Sequence, residues 1–386
     1  MRILLSVTNL QIGGAQMFVL QLAYALQKKG HKVLLYSHYG DYDKLNFPEV
    51  KIISLSRYKF INRFIWFLNG FLSKIFYIKN FREKINNLFF VMICKKFKPD
   101  VINSHMSQSD VIISKLIKKK KIKTKFIPTL HGEYEMGLVN DNDLINLLKT
   151  TDAIVFTTHK NITRFQNNEI KMYEIGIGLS KELIQYYIKN IVRKNLNIDS
   201  NDFVFGMIAR GIPEKGWESL IKSFIEINQQ HSNTSLLLIG DGNYLNELFK
   251  KYSHHKIVLK QLDNNPMEFF SYIPIIDVGV LPTYFSGESY PNILIQYIYF
   301  EKPVISTDIG AIKEIVCGDN LNCGIVLPLH DYKINDYELK EAMIKMITDK
   351  ELYKKFKTNC TIKRDKFEIN NIASKYEEVF NYVINS

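Results

Sequence analysis

Cysteine is scarce in this chain of 386 residues, and what there is forms no pattern. Cys94, Cys317, Cys323 and Cys360 stand apart, without a C-x-x-C pair or a His at metal-ligand spacing. They are expected to be free thiols in a reducing compartment, which argues against a disulfide scaffold or a zinc module. No Gly-x-Gly-x-x-Gly follows an apolar strand, so a dinucleotide cofactor is disfavoured. A continuous apolar run of about 20 residues is also missing, which disfavours a membrane-spanning helix. The stretch from Met1 to Val7 is too short for a signal-peptide core, so export is not expected and the cytoplasm is.

Positive charge, by contrast, is plentiful and uneven. The net charge is +12. Residues 1–175 hold 27 Lys and Arg against 13 Asp and Glu, and the remainder holds 24 against 26. Within the basic half, residues 57–98 interleave ten basic side chains with aromatics such as Phe60, Phe64, Trp66, Phe67 and Phe71. That segment reads as a helix lying on a surface. With the lysines from Lys118 to Lys125, it predicts contact with an anionic leaflet, the inner face of the plasma membrane. The plainer reading is an amphipathic core helix with solvated lysines. Nucleic acid is the rival anion, but no nucleic-acid-binding motif accompanies the charge, so none is expected as a partner.

A hydrophobic content of 46 % over this length is enough for two cores. The first half opens with a strand at Ile3–Val7, a Gly13-Gly14 loop, a helix from about Ala15 to Lys29 stopped by Gly30, and a strand at Lys32–Ser37. Strand, helix, strand in that order predicts a parallel pair with a right-handed crossover. Further strands are expected at Asp100–Asn103, Lys125–Thr129 and Ala153–Thr157. The second half repeats the plan, with Phe203–Ala209 as strand, Trp217–Gln230 as helix, and strands at Ser235–Ile239, Ile257–Lys260, Asp277–Leu281 and Val304–Ser306. The join is expected near residues 180–200, where Asn195, Asn197, Asp199, Ser200, Asn201 and Asp202 concentrate. The fold class is therefore α/β, two Rossmann-like doubly wound parallel-sheet domains at 1–185 and 186–364. A C-terminal helix at about 365–386 is free to pack back on the first. In open α/β sheets ligands sit at the carboxyl ends of the strands, so the active site is expected in a cleft that the two domains share.

Two stretches carry the chemistry. Glu288-Ser289-Tyr290-Pro291-Asn292-Ile293 puts an acid before a helix that starts near Pro291, whose free N–H groups suit a phosphate. Arg210-Gly211-Ile212-Pro213-Glu214-Lys215-Gly216 puts two cations on a short strand-to-helix loop, a fork and a point charge able to converge on a diphosphate. Together with Gln296, Pro303-Val304-Ile305 and the turn Asp308 to Glu314, these residues resemble glycosyltransferase family 4. Its members are retaining enzymes of GT-B fold that take sugars from nucleotide diphosphate donors. The chain departs from the family pattern at Gln296, where a second Glu is usual, and at Ser289, Glu301 and Ala311, where Gly is usual.

The resemblance implies roles for particular residues. Arg210 and Lys215 clamp the donor pyrophosphate, and the charge of the departing diphosphate is met without a metal or other cofactor. Glu288 contacts the donor sugar, though an acid here also serves simply as a helix-start residue. Tyr290, Pro291, Asn292 and Ile293 line the phosphate end of that helix, and Gln296 offers a neutral amide to ribose. Gly13 and Gly14 let backbone approach the donor and acceptor. His131, in Leu130-His131-Gly132, faces the sugar from the first domain, with His105 a weaker candidate of the same kind. The base pocket is placed at Gln261–Pro266.

The implied activity is transfer with retention, by front-face attack, from a UDP- or GDP-sugar to a saccharide or lipid-linked saccharide. Abundant Lys, Asn, Ile, Tyr and Phe fit an A·T-rich coding sequence and bacterial surface polysaccharide, lipopolysaccharide O-antigen or capsule. A nucleotide-sugar epimerase of similar architecture and a non-catalytic membrane adaptor remain open, the second because of Gln296. Lys215→Ala is expected to leave folding intact while slowing transfer by about 10².

Overall fold

A computed structural model describes every residue except 12, 41–46, 48, 59, 61, 69–80, 133–139, 160–168 and 262–266. The strands, in chain order, are β1 (Arg2–Val7), β2 (Lys32–Ser37), β3 (Ile52–Ile53), β4 (Val101–His105), β5 (Lys125–Leu130), β6 (Ile154–Phe156), β7 (Met172–Glu174), β8 (Phe203–Ile208), β9 (Thr234–Ile239), β10 (Ile257–Lys260), β11 (Val278–Leu281), β12 (Val304–Thr307) and β13 (Gly324–Leu327). The α-helices are α1 (Gly14–Lys28), α2 (Phe81–Phe97), α3 (Ser107–Lys118), α4 (Asp141–Thr150), α5 (Lys181–Tyr187), α6 (Trp217–Gln230), α7 (Asn243–Lys251), α8 (Asn292–Tyr299), α9 (Ile312–Cys317), α10 (Asp336–Thr348), α11 (Lys350–Lys363) and α12 (Ile369–Asn385). Residues 62–68 are helical as well.

Two compact units result, one of Met1–Ser180 with Ile369–Ser386, the other of Lys181–Glu368. The first holds a seven-stranded sheet in the order β3-β2-β1-β4-β5-β6-β7, and the second a six-stranded sheet in the order β10-β9-β8-β11-β12-β13. The pairings are all parallel. Sheets of this kind are covered on both faces, so their strands read as unbroken apolar runs. Leu4, Leu5, Leu236, Leu237 and Val280 are accordingly buried. In each sheet the strand order reverses beside the first strand, between β1 and β4 and between β8 and β11. Such a switch point separates the neighbouring loops and opens a crevice at the carboxyl ends of the strands.

Three short or terminal strands, β3, β7 and β13, escaped the sequence reading. Met172–Glu174 and Ile52–Ile53 offer only three and two residues, too few for alternation to register.

In the first unit α1 is buried from Gln16 to Leu26, wider than one apolar stripe, because α12 packs against it. Glu377 of α12 pairs with Lys29 and His31, and Gln21 accepts the Ser180 backbone N–H at 2.6 Å. In the second unit a glycine on β11 sets the seat of α8. A Cβ at Gly279 would lie 2.2 Å from the Tyr297 ring, so only glycine lets that ring lie flat on the strand. Tyr297 then accepts from the Ile208 N–H at 3.0 Å and donates to Gly206 O at 3.2 Å, which ties α8 to β8. Among the described residues no helix is long and apolar enough to cross a membrane.

Candidate functional site

The loop after β8 is held by backbone-on-backbone contact. Trp217, fully buried at the start of α6, donates its indole N–H to Arg210 O at 2.9 Å. Gly216 has φ +81° and its missing Cβ would lie 2.0 Å from Pro282 O, so both the conformation and the space require glycine. The loop after β11 closes on the same place. Tyr284 N–H donates to Glu214 O at 2.8 Å, and Thr283 Oγ1 donates to the same oxygen at 3.2 Å.

Five side chains from these two loops meet there. Phe285 presents its ring to both cations, with Arg210 Cζ at 5.3 Å and Lys215 Nζ at 5.1 Å from the centroid. Lys215 Nζ donates to Glu288 Oε2 in an ion pair whose side chains are only 9 % and 10 % exposed. The same Thr283 Oγ1 also lies 3.2 Å from that carboxylate oxygen, and its single proton is shared in turn between Glu288 and Glu214 O. Arg210 is exposed, and among the described residues no carboxylate pairs with it. The buried pair is internally neutral, and Arg210 stands beside it as a further cation over the same ring.

The turn after β12 backs the Glu288 loop. Gly310 has φ +61° and its missing Cβ would lie 2.3 Å from Glu288 O, while Ala311 N–H donates to Ser289 O at 2.7 Å. Glu314, one turn further on α9, is exposed. Pro291 is the N-cap of α8 instead of a residue of its first turn, since its ψ of 109° is extended. No side chain caps that helix start and no acid stands in its first turn, which leaves a positive dipole end for an anion. Tyr290, Asn292 and Ile293 are half-buried around it. Gln296 is 2 % exposed, a depth at which a neutral amide avoids the desolvation cost of a second carboxylate.

The first unit contributes a different set. Gly13 is the N-cap of α1 with an extended φ of −166°, a conformation open to any residue, and no side chain caps the helix. His105 ends β4, and His131 follows β5. Their rings meet, His105 Nδ1 and His131 Nε2 lying 2.8 Å apart, and Phe18 of α1 stands edge-on to both. Burial lowers both imidazoles, His131 to about 4 and His105 further because His131 adds to the effect. Both are neutral at physiological pH, so one nitrogen of the contact is a donor and the other a lone pair. Asn103 fixes the neighbouring strand, donating to Thr129 Oγ1 at 2.9 Å.

Sequence reasoning named Arg210, Lys215 and Glu288, and the structure joins them. It did not name Phe285 or Thr283, whose signal was an aromatic and a hydroxyl in the loop just before Glu288. It ranked His105 below His131, whereas the two are in direct contact. The pair argues against one expectation, that Lys215→Ala leaves folding intact, because that change would strand the Glu288 carboxylate in a buried place. Of the proposed base loop, residues 262–266 lie outside the described residues, and Gln261 donates to Asn246. Residues 69–80 of the basic, aromatic segment lie outside them too.

Among the described residues no group of three or more His, Cys, Asp and Glu is placed to hold a metal ion. The chain has two Asp-x-Asp triplets. Residues 41–43 lie outside the described set, and Asp143 of the other pairs with Lys115 at 3.0 Å.

Both units are similar to known glycosyltransferase sequences. The profile of Glycosyltransferase Family 4 matches residues 12–170, and that of Glycosyl transferases group 1 matches residues 188–362. An uncharacterized glycosyltransferase of Methanocaldococcus jannaschii is 27 % identical over 74 % of this chain and 80 % of its own. The capsular polysaccharide biosynthesis glycosyltransferase CapM of Staphylococcus aureus is 27 % identical over 68 % of this chain and 71 % of its own. Among solved structures, Anabaena HepE in complex with UDP and glucose superposes with a TM-score of 0.73 at 16 % identity, over 99 % of this chain and all of that one.

Proposed function

We propose that this chain, which belongs to the glycosyltransferases of GT-B fold, moves a sugar from a UDP- or GDP-sugar to a saccharide or lipid-linked saccharide in the building of bacterial surface polysaccharide. The observation that carries the reading is the meeting of Arg210, Lys215, Phe285 and Glu288 at one switch point, in the unit that also presents the uncapped start of α8. A nucleoside diphosphate fits such a place. Arg210 supplies a guanidinium fork with no carboxylate to satisfy, and the helix start supplies backbone N–H groups. As the sugar–phosphate bond breaks, charge grows on the departing diphosphate, and donors already in position stabilise it without reorganising. Glu288, held by Lys215 and Thr283, is oriented toward the donor sugar.

Transfer is read as retaining, with the leaving phosphate oxygen taking the acceptor's proton. The capsule enzyme among the relatives and the UDP-bound neighbour support this class of substrate. Calorimetry with UDP and GDP tests the reading, followed by a donor screen read by mass spectrometry with membrane extract as the acceptor source. Absence of both heat and thermal stabilisation with either nucleotide overturns it.

Attachment to an anionic leaflet at the cytoplasmic face is part of the proposal. Phe60, Phe64, Trp66 and Phe67 are 93 %, 61 %, 51 % and 68 % exposed, an aromatic patch within the basic half. Aromatics of this kind enter the membrane interface while lysines meet the headgroups. Trp217, the other tryptophan, is fully buried, so a change in fluorescence reports on Trp66. A blue shift with phosphatidylglycerol vesicles and none with phosphatidylcholine is expected, and equal spectra in both remove this part.

A further inference from the structure

At the carboxyl end of β2, in the first unit, lies a recess lined by His38, Tyr39, Ser56, Asn62, Arg82 and Asn86 among others. Its cavity volume is about 10 Å³, the room of one oxygen atom with its hydrogen. Two of its lining side chains are 3 % exposed and each has a polar atom with no partner among the described residues: His38 Nδ1 and Asn86 Nδ2. Leaving a buried polar atom unpaired is costly, so two on residues that line one recess call for a group that pairs them.

The chemistry of the pair is specific. Burial lowers the His38 imidazole to about 3, so the ring is neutral. Its Nε2 faces Ser6 Oγ at 3.0 Å, and that oxygen lies 2.9 Å from Ser109 Oγ. In the tautomer whose Nε2–H donates to Ser6 Oγ, Nδ1 is a lone pair; in the other, Ser6 O–H donates to Nε2 and Nδ1 carries the proton. Asn86 is anchored the other way, its Oδ1 accepting from Tyr36 O–H at 3.1 Å, which turns its N–H₂ outward. In the first tautomer two residues lining this recess carry one unpaired acceptor and one unpaired donor, and a group that matches both is a hydroxyl. The recess opens on the rim that also carries the glycine loop, since Tyr39 N–H donates to Thr8 O at 2.7 Å. Beside it the Arg82 guanidinium lies 4.4 Å from the Trp66 ring, a flat cationic shelf against which a sugar ring can rest.

We infer that this recess takes one hydroxyl of the acceptor saccharide and so selects among acceptors by the presence and configuration of that hydroxyl. This rests on the reading of the protein as a glycosyltransferase. His38 and Asn86 are binding residues in this account.

The test is equilibrium binding without donor, using the full chain and saturation-transfer NMR with the methyl glycosides of glucose, galactose and N-acetylglucosamine and their singly deoxygenated forms. The expected result is that at least one glycoside binds, and that removing one particular hydroxyl weakens it about tenfold or more. That penalty should shrink to less than twofold in His38→Gln, where the amide keeps the Ser6 contact and no atom replaces Nδ1. Asn86→Leu should do the same, but it also strands Tyr36, so His38→Gln decides if Asn86→Leu fails to fold. A penalty of equal size in wild type and His38→Gln, or no binding by any glycoside, overturns the inference, leaving a structural water as the occupant. UDP titrated into the same samples reads the donor site separately: UDP binding with no hydroxyl coupling sinks the recess alone, and coupling without nucleotide binding sinks the transferase reading alone.

Discussion

The first strand of each unit runs into a loop and a helix, and the two loops are built on opposite principles. After β8 the loop carries Arg210 and Lys215, is pinned by Trp217, and ends in a glycine whose left-handed backbone lies against Pro282 O. After β1 the loop carries no charge at 13 and 14, and Gly13 takes an extended backbone with nothing closer than the flexible end of Gln16. A loop that grips a diphosphate has to hold cations in fixed places against their own repulsion. A loop that lets different acceptors approach needs only to stay out of the way.

Lys215→Ala is the sharpest break, because it removes a cation and leaves Glu288 buried without its partner. A loss of about 3–5 kcal/mol is expected on thermal melting, and adding Glu288→Gln should restore much of it. Transfer should fall by about 10² or more in both variants; a single variant that melts like wild type refutes the buried-pair account. Gly216→Ala comes next, with a loss of about 3 kcal/mol from the strained φ and the clash with Pro282 O. Gly13→Ala should cost about 1 kcal/mol on the same melting scale, since alanine is a poorer N-cap than glycine. Equal losses for the two glycines erase the contrast between the loops.

Acid should separate the units as well. His38 and His131 have folded pKa values of about 3 and about 4, and His105 is also lowered, against 6.5 for a free imidazole. The unfolded chain therefore binds more protons between about pH 6.5 and 4, so the stability these groups contribute is complete above 6.5 and is lost as pH falls through that window. Hydrogen exchange should show the first unit opening first on acidification; loss of protection first in β8–β12 refutes it. The mildest effect is expected of Arg210→Ala, an exposed site: under 0.5 kcal/mol of stability, but about tenfold weaker UDP binding and a weaker dependence on salt, read by calorimetry.

Sequence pattern served the second unit better than the first. Trp217–Gln230 and Ile257–Lys260 are the elements expected, since a 3.6-residue period and a β-branched run between polar turns are strong local signals. Arg210, Lys215 and Glu288 were legible because their charge sits beside strand ends. The ion pair that ties two of them was not, for it joins residues 73 positions apart and no local spacing records it. His38 and Asn86 were silent for a related reason. A polar residue inside an apolar run looks like noise until the fold shows what it lacks. Likewise β13 depends on β12 for its alignment, and its four residues carry no period of their own.

The return of α12 to the first unit also fixes an order of events. Tyr376, Phe380 and Val383 fill that unit's interior, and Gly178 leaves room for Ile369 and Ile372 to cross it closely. During synthesis α12 emerges after Lys181–Glu368, so a later segment completes the body of Met1–Ser180 while Lys181–Glu368 is free to fold ahead of it. A stop directly after Glu368 would thus leave the Met1–Ser180 body open along α1, and a quality-control protease should attack there.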